Sequence, residues 1–256
     1  MSEKTGIACE AGRYKDFTGV IMWGGTEGAV ENAFFDLKNY CNSESVIFHS
    51  GIWKNGIWEY GTWKDGLWED GLWNRGTWEK GTWVNGTWKD GNWEGGIWVN
   101  GTWKEGIWEK GIWEKGTWKY GTWVNGTWKD GVWQGGTWQD GIWEKGNWEN
   151  GTWQDGIWKD GAWKIGLWKD GVWENGIWAT GIWENGTWAD GTWEDGHWWG
   201  GTWGNGVWEN GTWRGGTWKD GTWKSGRWKD GKWEGGKWKR GKDNRGVGHL
   251  DSPDNW

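Results

Sequence analysis

The sequence predicts an all-β repeat protein, and three observations carry that prediction. From Gly51 to Arg240 a five-residue unit, Gly-x-Trp-x-x, recurs 38 times with no copy longer or shorter. A glycine every five residues excludes a stable helix, at about 1 kcal/mol for each. Between Gly and Trp stands Thr in 16 copies, Ile in 9 and Val in 3, which suits a pleated strand.

The rest of the unit reads as turn and surface. The residue before each next glycine is Asp, Asn or Gly in 26 copies, a turn signal. The residue after Trp is mostly Lys or Glu. The 256 residues include 53 Gly, 41 Trp and 1 Pro, so Trp is almost the only large apolar residue available. Burying one indole removes about 150–250 Å² from water, roughly 4–6 kcal/mol. Ordering five backbone residues costs roughly 5–10 kcal/mol. The array therefore folds only if its tryptophans cover one another. Trp53, Trp98, Trp143, Trp188 and Trp238 represent the expected core, and Gly51, Gly96, Gly141, Gly186 and Gly236 the turn glycines.

Two architectures satisfy the pattern. In an elongated β-solenoid each pentad forms one side of a coil stacked through parallel strands. Gly and Trp, two apart, then both point inward. Four pentads per coil give about 9–10 coils of ~4.8 Å each. The Gly-Gly pairs beginning at Gly95, Gly135, Gly215 and Gly235 share a 20-residue phase that suits this, and Gly200 does not. The alternative is an antiparallel β-meander of short hairpins with a Trp ladder on one face. Trp-Glu-Asn-Gly-Thr-Trp, at 148–153, 183–188 and 208–213, looks like a tryptophan-zipper hairpin. Its Asn-Gly turn needs positive φ, a direct reason for an invariant glycine. A meander of 38 strands would leave a naked Trp face, an aggregation hazard, so burial favours the coil.

A small residue two places before a large apolar one resembles the pentapeptide-repeat family, over residues 51–240. That resemblance implies a four-sided β-helix. The family usually has Leu or Phe where this chain has Trp. The string Gly-x-Trp-x-x-Gly is also similar to part of a MORN repeat, a β-hairpin unit, without its longer period. Near-perfect short arrays resemble structural proteins of large phages, which implies a virion role.

The ends differ from the array. Residues 1–50 read as a small α/β cap or attachment segment. Phe17, Val20, Ile21, Met22 and Trp23 suit a strand, and Thr26 would cap a helix presenting Val30, Phe34, Leu37 and Cys41 on one face. Phe48 falls in phase with the Trp position, as in a decayed first unit. Near the other end Arg227, Lys232 and Lys237 replace the usual Thr or Ile, a way of blunting an edge. Residues 241–256 read as a loose basic or polar tail ending in Trp256.

Charge is uneven. Residues 211–256 hold 11 Lys/Arg against 6 Asp/Glu, and the first 210 hold 18 against 30. A basic end can dock on an acidic partner or nucleic acid, or be simply a solvated polar terminus. No apolar run approaches the ~20 residues of a membrane span. Cys9 and Cys41 form no metal or disulfide spacing. The first residues hold no apolar signal region, which leads us to expect a cytoplasmic or intracellularly assembled product.

No catalytic string is present: no P-loop, HExxH or GxSxG occurs. His49, His197 and His249 are far apart, and His197 stands beside the extra Trp199 at an outward position. Aspartates before glycine would stack in a coil and could hold Ca²⁺, but turn chemistry explains them. The expectation is a non-enzymatic scaffold or spacer with no catalytic, cofactor or metal site, meeting a protein partner or itself through its ends. The alternative is a module recognising a glycan or other flat ligand through a Trp ladder, with nucleic acid and membrane not expected.

Overall fold

The computed structural model describes residues 4–8, 12–23, 26–37, 46–243, 245, 247–250 and 252–253. The chain forms two compact units, Met1–Thr127 and Trp128–Trp256, built on one plan. Among the described residues every regular element is a strand, apart from a single 3₁₀ residue at Pro253.

The array is a parallel β-solenoid with three pentads per coil. Each Thr/Ile-Trp pair is a short strand, in register with the same pair 15 residues on: Thr87 with Thr102 and Trp88 with Trp103, Ile142 with Ile157 and Trp143 with Trp158. These parallel ladders replace the antiparallel meander. They also replace the four-sided coil, so the 20-residue phase of the Gly-Gly pairs has no structural counterpart. The 15 pentads of residues 51–125 make five coils, and the 22 of residues 131–240 make seven and a third.

Two recurring backbone hydrogen bonds per pentad hold successive coils together, and some pentads add a third, as Asp155 N–H to the Gln139 carbonyl at 3.0 Å. The N–H after each glycine donates to the glycine carbonyl one coil back, as Thr82 to Gly66 at 2.9 Å. The N–H after each Trp donates to the Trp carbonyl one coil back, as Lys159 to Trp143 at 2.8 Å. A carboxylate or amide at the fifth position caps the glycine N–H. Asp140, Asp155 and Asp170 each accept from the next glycine at 2.6, 2.7 and 2.8 Å. That is why Asp and Asn recur there.

In-register pairing puts each indole over its counterpart. Trp68 and Trp83 stack with centroids 4.6 Å apart and planes 6° from parallel; Trp143 and Trp158 do so at 4.7 Å and 7°. Within a coil, consecutive indoles meet edge to face, as Trp143 and Trp148 at 6.0 Å and 71°. Both geometries are favoured by the ring quadrupole. Trp53, Trp98, Trp143 and Trp188 have 0% exposure, and Trp238, in the last coil, is half-buried.

Three sides rather than four follow from what points inward. The glycines do not share the core with Trp: at Gly66 (φ +132°) an added Cβ would meet the carbonyl oxygen of Gly51, one coil back. Each pentad thus contributes one interior side chain, and three indoles fill a three-sided section. A four-sided coil would need a second inward residue per side. The positive φ that spoke for hairpins is a property of the solenoid corner.

The described residues of the N-terminal segment are all-β. β1 (Lys4–Ala8) pairs parallel with β2 (Gly12–Trp23), and β2, β3 (Thr26–Leu37) and β4 (Val46–Trp58) run antiparallel in turn. Phe17 and Ile21 are buried on β2, and Val20 is half-buried. The expected helix from Thr26 is β3. A bulge at Asn32 (φ 48°) shifts the strand's parity, so Val30, Ala33, Phe35 and Leu37 are buried. Spacings of three and seven from Val30 imitate a helix face. Cys9, Cys41 and Trp256 lie outside the described residues.

β4 leads into the array. Phe48 stacks on Trp63 at 4.0 Å and 11°, in the in-phase register, and Phe35 continues the stack at 6.4 Å. Gly28 lies against the Trp53 ring, where any side chain would collide, so β3 closes the first coil.

Candidate functional site

The array tryptophans offer little surface. Every one from Trp53 to Trp223 is fully buried, so a Trp ladder is not presented to a ligand. Among the described residues Trp233 and Trp238 are half-buried, and Trp199, outside the repeat position, is 51% exposed. The Arg214 guanidinium lies 4.2 Å over its ring, and Gly200 and Gly215 beside them carry no side chain.

The polar residues are largely committed to the fold. Aspartates before glycine cap backbone N–H groups, and among the described residues no group of three His, Cys, Asp or Glu converges to hold a metal. His49 stacks on Phe34 at 4.4 Å and meets Asp36 at 2.9 Å. Asp36 also accepts from Arg13 at 2.8 Å. Its carboxyl is held down at about 2, by the Arg13 hydrogen bond first and that of His49 next. At the fourth position of the pentad, charges pair between coils, Lys64 with Glu79 and Glu209 with Lys224.

Three cations end the array. Arg227, Lys232 and Lys237 sit at the outward position of three successive pentads, so each side of the coil ends in a positive charge. The chain then turns back instead of trailing away. Gly241–Lys242 pairs antiparallel with Gly248–His249. The turn is built on Asp243, which accepts from the N–H groups of Arg245 and Val247 at 2.9 Å and from the Arg245 guanidinium at 2.8 Å. Burial pushes the Asp243 carboxyl up, but these donors and His249 more than offset it and hold it at about 2.

This hairpin closes one end of a groove of about 1000 Å³. Its floor is a column of glycines from Gly181 to Gly241, one per coil. One wall runs from Thr180 through Asp195, Asn210 and Ser225 to Arg240; the other from Ile182 through His197 and Thr212 to Arg227 and Lys242. His249 and Leu250 stand at the closed end. His197 and His249, 52 residues apart, therefore share one surface. Only the 15-residue coil period unites these walls. Signals of that period are in the sequence: Gly200 and Gly215 stand 15 apart, as do the opposite charges Glu144 and Lys159.

No known family model, curated protein or solved structure matches this chain.

Proposed function

We propose that this chain is a non-enzymatic structural repeat protein, a rigid β-rod that serves as scaffold, spacer or virion component. One observation carries the reading: the array tryptophans from Trp53 to Trp223 are fully buried and stack on one another from coil to coil. A near-invariant unit whose Gly, Trp and Asp or Asn are all used in building the next coil encodes continuation, and surface identity is left to the variable positions. Assembly inside the cell, with contacts made through the two ends, fits this role. The likeness to the pentapeptide-repeat family is one of construction, a coil of five-residue sides.

The test is Trp143→Ala in the full chain. A scaffold loses stability and keeps whatever binding its ends provide. Loss of ligand binding at unchanged stability would sink the reading. A second reading, recognition of a glycan or another flat ligand, rests on Trp199 alone. Trp199→Ala should then abolish retention on a glycan array and leave the melting midpoint unchanged.

A further inference from the structure

We propose that the groove ending at the C-terminal hairpin binds an extended acidic peptide. The inference does not depend on the scaffold reading.

Charge points to an anion. Arg227 and Lys242 are neighbours in adjacent coils, and Arg240 stands on the opposite wall of the same end. Among the described residues no carboxylate pairs with any of these three. The floor adds donors. Gly196 has its N–H capped by Asp195, but Gly181, Gly211 and Gly226 follow Thr180, Asn210 and Ser225 and carry no such cap. The Asn210 oxygen is already taken by the Ser225 hydroxyl at 3.2 Å. Uncapped N–H groups at coil corners are donors for peptide carbonyls or carboxylates.

Shape points to an extended chain. Five floor glycines span four coil steps, about 19 Å at the usual strand spacing, which matches about six extended residues. The groove is also directional. Its open end carries exposed Ile182, and its closed end carries the cations. The fitting peptide has an aliphatic side chain at one end and carboxylates at the other. Peptide is favoured over single-stranded nucleic acid because among the described residues no indole, phenol or phenyl ring lines the groove to stack a base.

The experiment uses the full chain and a fluorescein-labelled hexapeptide with leucine at one end and three glutamates at the other, read by anisotropy. Saturable binding that weakens as salt rises is expected. The double variant Arg227→Gln/Lys242→Gln should weaken it at least about tenfold. Thr212→Glu, which puts a carboxylate on the wall without touching the hairpin, should weaken it too. The control Lys104→Gln/Lys119→Gln, elsewhere on the array, should leave it unchanged. Far-ultraviolet circular dichroism melts establish that the variants remain folded. No saturable binding overturns the proposal. So does binding indifferent to both groove variants, or an oligothymidylate that competes as strongly as the acidic peptide.

Discussion

The carbonyl oxygen of Gly131 lies 2.5 Å from the place a Cβ would occupy on Gly146, one coil later. The array glycine is fixed twice, by a φ of +131° and by the backbone beneath it. Neither constraint applies to the glycine that sometimes precedes it. At Gly95 the nearest atom to an added Cβ is 3.6 Å away.

Adjacent glycines should therefore answer oppositely to alanine. Gly146→Ala is expected to cost more than the roughly 1–3 kcal/mol of an unfavourable φ alone, since the backbone must also move. Gly95→Ala should be neutral or slightly stabilising, because it restricts only the unfolded chain. Urea melts of the two variants make the comparison.

Trp143 lies between Trp128 and Trp158, at 4.8 and 4.7 Å. Neighbours held by two backbone ladders cannot close over a missing ring. Trp143→Ala is expected to cost about 3–5 kcal/mol, and Trp143→Phe distinctly less. A calorimetric scan that left the melting temperature of the alanine variant unchanged would contradict the stacked core.

Intrinsic fluorescence should be dominated by blue-shifted emission that acrylamide barely quenches. Among the described residues a small red-shifted component should come from Trp199, with a lesser share from half-buried Trp233 and Trp238. Trp199→Phe should reduce that component and leave the blue-shifted emission intact.

Acid should loosen the two ends. Asp36 and Asp243 sit at about 2, below the ordinary 3.8 of an aspartate. A depressed carboxyl stabilises the fold fully above its unfolded value, and that contribution is lost as pH falls from about 4 through about 2. Indole stacking and backbone ladders do not titrate. Trp233 and Trp238 should become more quenchable over that interval while the array's circular dichroism persists. Asp243→Asn should raise their quenching already at neutral pH.

Much of the fold was legible before any coordinates. Strand, turn and buried Trp follow from a unit in which each position has one physical use. β3 imitates a helix in the sequence because the bulge at Asn32 turns a two-residue alternation into spacings of three and seven. The number of sides is hidden because a glycine two places before Trp suits an interior position as well as a corner. The groove was not legible, since Thr180, Asp195, Asn210, Ser225 and Arg240 form a wall only once the period of the coil is known.

By itself the sequence determined the pentad, its β character and the need for tryptophans to cover one another, because those are properties of five residues and their solvent. Only the tertiary structure decided how many pentads close a coil. That number depends on how many indoles fill a cross-section and on where a glycine without a Cβ lets one backbone rest on another. From it follow which side chains stack 15 residues apart, and so the ring of Arg227, Lys232 and Lys237 and the groove beside it.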